Sequence, residues 1–188
     1  MTNILTSPLH DLWPAALLEK AARIRLVALD VDGVMSDGRI YFTASGDELK
    51  GFNILDGLGL KQLMAAGITV AVITGRTSPL TEKRMQDLNI PHLMQGREDK
   101  KVALQELVNT LDIPAEAIAY MGDDLPDLPA IRYAGLGITV PNGYWLVQQH
   151  ADYCTQAAGG SGAVRELCDL LLSAGGHLKT TLAPYLDT

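Results

Sequence analysis

Four short apolar runs, Leu26 to Leu29, Thr69 to Ile73, Ile118 to Met121 and Gly137 to Val140, recur along the chain with helical periodicity between them. Runs of this length, rich in Val, Ile, Ala and Leu, suit strands buried on both faces, which calls for a parallel sheet with helices above and below it. The stretches Gly57 to Ala66, Leu80 to Leu88, Lys101 to Leu111 and Ala163 to Leu172 repeat apolar residues three and four apart, and Gly67, Pro91 and Pro114 supply stops. The pattern predicts an α/β fold, a doubly wound, Rossmann-like parallel sheet. One segment breaks it: Arg39 to Thr43 and Glu48 to Asn53 flank a Ser45-Gly46-Asp47 turn and predict a small β-hairpin flap after the first strand.

A chain of 188 residues without repeats or linkers suits one domain, expected over residues 24–174, with an N-terminal extension at 1–23 and a C-terminal tail at 175–188 that is either disordered or docked elsewhere. A net charge of -7 argues against nucleic acid or an anionic membrane as partner, so an anionic substrate needs local positive charge. Cys154 and Cys168 lack metal or redox spacing and read as reduced thiols of a cytoplasmic protein. The first 25 residues hold no apolar core long enough for a signal peptide or membrane span.

Ligands of open parallel sheets bind at the carboxyl ends of the strands. There the first strand runs into Asp30-Val31-Asp32-Gly33, the second into Thr74-Gly75-Arg76 and a later one into Gly122-Asp123-Asp124, with Asp127 close behind and Lys100 near a helix start. Crowded carboxylates demand a cation or raise each other's pKa. Phosphoryl transfer through an aspartyl-phosphate explains the crowding, with Asp30 as nucleophile and Mg²⁺ held by Asp30, Asp123 and the main-chain carbonyl of Asp32. Asp32 is placed to protonate the leaving alkoxide and then activate water, with Gly33 permitting the turn. Thr74, Gly75 and Lys100 suit the transferred oxygens, while Asp124 and Asp127 are expected to orient metal waters or the lysine. Each piece alone has a plainer reading as a turn, a cap or a surface charge, but four in order at successive strand ends do not. An EF-hand is excluded, since Val34, Met35 and Tyr41 stand where a ligand, glycine and glutamate are required. The scattered histidines read as surface or packing residues.

The ordered set DVDGV, ITGR, Lys100 and GDD resembles the haloacid dehalogenase superfamily. The longer stretches LDVDGVMSDGRIYF, GDELKGFNILDGLGLKQL, AVITGRTSPLTEKR, AYMGDDLPDLPAI and AAGGSGAVRELCDLLL resemble its 3-deoxy-D-manno-octulosonate 8-phosphate phosphatase family, across about residues 24 to 173. The resemblance implies a cytoplasmic, Mg²⁺-dependent sugar-acid phosphatase of lipopolysaccharide biosynthesis. It also implies a homotetramer without a separate cap domain, whose hairpins meet in a central barrel and whose neighbouring subunits, including the tail, help close each site. Carried over by motif, Asn53, Ile54, Leu55, Asp56, Gly57, Lys61, Arg76 and Arg84 would join Asp32, Gly75 and Lys100 in facing the substrate. Arginine is common in the family at the positions of Leu55 and Lys61, so carboxylate recognition here would rest on fewer bidentate contacts. Alternatives are a phosphatase for a nine-carbon sialic-type 9-phosphate and, from another class, a phospho-receiver. Against the receiver stands the second acid two residues after Asp30, poised for turnover.

Overall fold

The computed structural model describes residues 13–186. Within them, six parallel strands form one sheet in the order β5-β4-β1-β6-β7-β8. In chain order these are β1 (Leu26–Leu29), β4 (Thr69–Ile73), β5 (His92–Met94), β6 (Ile118–Met121), β7 (Leu136–Thr139) and β8 (Tyr153–Cys154), while β2 (Tyr41–Phe42) and β3 (Glu48–Leu49) pair antiparallel as a separate hairpin. The central strands are buried on both faces, and successive residues feed two different cores. Val27, Leu29, Val70, Val72, Ala119 and Met121 face one, and Leu26, Ala28, Ala71, Ile73, Ile118 and Tyr120 the other. The first core is closed by helices α1 (Ala15–Ala21), α2 (Ile54–Ala65), α3 (Pro79–Leu88) and α7 (Ala163–Ala174); the second by α4 (Lys100–Leu111), α5 (Leu128–Ile131) and α6 (Trp145–His150). This is the doubly wound architecture expected, with helices on both faces and the small hairpin after β1.

The differences from the sequence reading are local. β7 begins one residue earlier than expected, at Leu136, and α2 begins at Ile54 rather than Gly57. Asn53 caps that helix, its side-chain oxygen accepting from the Leu55 N–H at 2.8 Å. Gly57 and Gly59 lie inside the helix at places where a side chain would collide with Arg84 at the first and crowd Cys168 at the second. Of the tail, Leu178–Leu186 forms a helix, α8, with Leu178 packed against the core. The part of the N-terminal extension at residues 1–12 lies outside the described residues. In the rest of it, Leu17, Leu18 and Ala21 of α1 are buried in the first core. Among the described residues no helix is long and apolar enough to cross a membrane.

Candidate active site

The chain turns back across β1 between β5 and β6, so β4, β1 and β6 deliver their carboxyl ends side by side. Leu29 sits opposite both Val72 and Met121, and within two residues of that level the chain leaves the sheet at Asp30, Thr74 and Gly122-Asp123. A cleft of about 300 Å³ opens there, and Asp30, Asp32, Thr74, Gly75, Arg76, Lys100, Asp123, Asp124 and Asp127 all line it. Glu98, Gly38, Ile40 and Pro126 complete its wall.

Lys100, the first residue of α4, reaches into the centre. Its Nζ lies 2.8 Å from Asp30 Oδ2 and 2.7 Å from Asp127 Oδ1. Asp127 is fully buried and accepts four hydrogen bonds, from Lys100 and the Tyr120 hydroxyl on Oδ1 and from the Asp123 and Asp124 N–H groups on Oδ2. Asp124 turns outward and caps the short 3₁₀ turn through the Leu125 N–H. Burial, then the charge of Asp127, pushes Asp30 up to about 7 despite Lys100, and burial with Asp127 and Asp30 does the same to Asp123. Burial pulls the Lys100 ammonium down, but the carboxylates of Asp127 and Asp30 outweigh it and leave it above the ordinary lysine range.

The donor set fits a divalent cation. Among the described residues Asp30 Oδ1 and Asp123 Oδ1 are buried without a hydrogen-bond partner, which is costly for carboxylate oxygens unless something positive meets them. Asp30, Asp123 and Asp127 bring one oxygen each to within 4.8 Å of one another. Asp127 is nonetheless a poor third ligand, because both its oxygens are already engaged. Gly33, at φ +89°, is required twice over: its conformation disfavours any side chain, and a Cβ there would overlap the Asp123 carboxylate. The Gly33 carbonyl is fixed by the Asn142 amide at 3.1 Å, itself held by the Gly159 N–H at 2.7 Å.

The curated 3-deoxy-D-manno-octulosonate 8-phosphate phosphatase KdsC of Escherichia coli K12 is 49% identical to this chain over 164 residues, 87% of either protein. The chain belongs to the 3-deoxy-D-manno-octulosonate 8-phosphate phosphatase family. A model of the haloacid dehalogenase-like hydrolases matches residues 89–167. The solved structure of the phosphatase from Moraxella catarrhalis, in complex with magnesium ion, phosphate ion and a KDO molecule, matches with a TM-score of 0.89 at 46% identity, covering 90% of this chain and 98% of that one. A probable YrbI family phosphatase from Pseudomonas syringae gives 0.91 at 48% identity, covering 93% and 99%.

Not every residue expected at the site of this phosphatase stands in the cleft of its own chain. Asn53 caps α2 and its carbonyl accepts from Arg84 Nη2 at 3.2 Å, while Arg84 also lies over the Phe52 ring. Asp56 turns inward, where Oδ1 accepts the Arg165 N–H of α7 at 2.8 Å and burial pushes the carboxyl up to about 6. Ile54, Leu55 and Lys61 are exposed on α2, and Gly57 packs beneath Arg84. Conversely, Lys50, Glu48 and Tyr120 touch the cleft residues Asp32, Arg76 and Asp127, and Asn142 holds the turn at Gly33 beside them; none of the four is singled out by the sequence. Strand alternation in GDELK, which puts Glu48 and Lys50 on one face, was the available signal for the first two.

The raised carboxyls set a pH dependence. Asp30 and Asp123 hold protons in the folded, metal-free chain up to about 7, whereas unfolded aspartates release theirs near 3.8. Between those values the folded state binds more protons than the unfolded one, so stability falls as pH rises through the window. Asp56, at about 6, acts in the same direction. With EDTA present, the melting temperature is expected to decline between about pH 5 and pH 8, and added Mg²⁺ is expected to raise it more at the upper end, since the ion replaces protons there. A melting temperature that rises with pH in EDTA contradicts the assignment.

Proposed function

We propose that this phosphatase hydrolyses 3-deoxy-D-manno-octulosonate 8-phosphate to 3-deoxy-D-manno-octulosonate and phosphate through an aspartyl-phosphate. The observation that carries the reading is the meeting of Asp30, Asp32, Thr74, Lys100 and Asp123 in one cleft, in a chain 46% identical to the Moraxella phosphatase solved with magnesium, phosphate and KDO. Asp30 attacks phosphorus, the bond to the sugar oxygen breaks, and Asp32 delivers a proton to that oxygen. Asp32 then takes a proton from the water that attacks the phosphorus of the aspartyl-phosphate, which frees Asp30. Lys100 holds Asp30 in place and offers charge to the transferred group, to which the Thr74 hydroxyl and Gly75 N–H donate. Asp30, Asp123 and the Asp32 carbonyl hold Mg²⁺. When bound, it neutralises the repulsion between carboxylates and phosphate. Asp127 keeps Lys100 and the Asp123 backbone in register, and Asp124 shapes the turn beside them.

The catalytic domain is assigned to residues 24–174, in a cytoplasmic homotetramer. Exposed Ile40, Tyr41, Phe42 and Leu49 on the hairpin are apolar enough to be covered by assembly. Ile54, Leu55 and Lys61 are then offered to a neighbour's substrate, Ile54 and Leu55 being 79% and 54% exposed in one chain, while Asn53, Asp56, Gly57 and Arg84 serve by holding the start of α2 that presents them. A phosphate-release panel of sugar phosphates with Mg²⁺ tests the assignment. The eight-carbon 8-phosphate is expected to give the highest kcat/KM, with activity lost in EDTA and restored by Mg²⁺. Faster turnover of a nine-carbon 9-phosphate overturns the substrate.

A further inference from the structure

The hairpin reaches into the chemistry through one buried side chain. Glu48 and Lys50 lie two residues apart on and just after β3, so both point towards the cleft while Leu49, 57% exposed, points away. Glu48 Oε1 accepts from Arg76 Nη2 at 3.1 Å, an arrangement open to solvent. Lys50 differs. Its side chain is only 3% exposed and its ammonium lies 2.6 Å from Asp32 Oδ1.

An ammonium held this far from water is not an ordinary surface pair, because breaking it leaves a buried charge uncompensated. Its effect on Asp32 is to separate the two carboxyl oxygens. Oδ1 takes the Lys50 bond and lies 3.5 Å from Ser36 Oγ. Oδ2 is buried without a hydrogen-bond partner among the described residues, with Arg76 Nε 3.8 Å away, and Asp32 lines the cleft.

We propose that Lys50 is a positioning residue that fixes Asp32 Oδ1 and thereby reserves Oδ2 for proton exchange with the leaving group and with water. The proposal rests on the reading of Asp32 as proton donor and acceptor. It is consistent with both protonation states, because Oδ1 accepts from the ammonium whether it belongs to a carboxylate or is the carbonyl oxygen of the neutral acid. In the first step the phosphorus–oxygen bond to the leaving group breaks as the Oδ2 proton passes to that oxygen. In the second, water adds to phosphorus as its proton passes to Oδ2 and the Asp30 oxygen departs. Lys50 neither gains nor loses a proton in either step.

Leaving-group dependence separates this role from a purely structural one and from contact with the sugar. Phenyl phosphate and p-nitrophenyl phosphate share the aryl phosphate and differ by a para nitro group, so that only the first has a leaving group basic enough to need a proton, and normalising each variant's ratio to the native one removes the common effect of size. The ratio of kcat/KM for p-nitrophenyl over phenyl phosphate is measured for the native, Mg²⁺-loaded protein and for its variants. It is expected to rise about a hundredfold in Asp32→Asn, the size of a lost general acid, and about tenfold in Lys50→Met. A native ratio in Lys50→Met beside a raised ratio in Asp32→Asn overturns the role of Lys50 alone. A native ratio in Asp32→Asn removes the reading of Asp32 and the proposal with it. Should Lys50→Met fail to fold, Lys50→Gln carries the same test, since it shortens the reach and removes the charge, and a native ratio there counts equally against the proposal.

Discussion

Replacing Asp30 with asparagine is expected to abolish turnover, by about 10⁴-fold or more, while leaving the fold in place. The position of Asp30 is set by the sheet rather than by its carboxylate: its N–H donates to the Met121 carbonyl at 3.0 Å, and Leu29 before it is buried between β4 and β6. An amide has the same shape, and its oxygen can still accept from Lys100. What it lacks is a lone-pair anion able to form the bond to phosphorus. The substitution also removes one of the carboxylates crowded around Lys100, whose mutual repulsion contributes to the elevation of Asp30 and Asp123 to about 7. In EDTA at neutral pH the variant is therefore expected to melt at or above the native temperature. Phosphate release and thermal melting together decide the matter. A variant that keeps a tenth of native turnover rules out a covalent intermediate on Asp30, whereas one that loses turnover by unfolding says nothing against the sheet-end geometry and is recognised by its melt.

The parts of the fold that were legible in the sequence are those buried on both sides. β1, β4 and β6 carry no exposed face, so their runs contain almost no polar residue, and each run stops one or two residues before the side chain that turns into the cleft, Asp30, Thr74 and Asp123 in turn. Edge strands leave a different trace. His92–Met94 is only partly buried and Tyr153–Cys154 is two residues long, so neither offers a run or an alternation to detect. The site shows the same division. Asp30, Thr74 and Asp123 follow from strand ends, and Lys100 from the start of a helix. Alternation in GDELK places Lys50 on the same face as Glu48, but that this face folds back over Asp32, 18 positions earlier, is a tertiary contact that spacing alone does not reveal. Tyr120 reads as a core residue because it is one, and only its hydroxyl leaves the apolar layer to reach Asp127. Asn53 to Gly57 came from resemblance rather than from the chemistry of those residues, and the structure turns them away from the cleft of their own chain.

The largest loss of stability from a single near-isosteric change is expected at Asp127. Its two oxygens receive Lys100 Nζ at 2.7 Å, the Tyr120 hydroxyl at 2.8 Å, and the N–H groups of Asp123 and Asp124 at 3.1 and 3.2 Å. All four partners donate. An asparagine at this place must turn its NH₂ group towards one pair of them, so either the buried ammonium and phenol or the two backbone N–H groups meet a donor instead of an acceptor. There is no slack to absorb the mismatch, since a Cβ on the adjacent Gly122 would already overlap the Asp127 side chain. Breaking a buried charge pair of this kind costs about 3–5 kcal/mol. At about 2–4 °C per kcal/mol for a chain of this size, the melting temperature of Asp127→Asn is expected to fall by roughly 6–20 °C. Relief of repulsion with Asp30 and Asp123 works in the opposite direction, so the measurement belongs in saturating Mg²⁺, where that repulsion is already compensated. Asp124→Asn is the control: Asp124 is exposed, its side chain caps only the Leu125 N–H, an amide oxygen caps equally well, and the expected change is under about 1 kcal/mol. If the two variants melt together, the four-donor arrangement does not carry the load assigned to it, and Lys100 must be held in place by Asp30 alone.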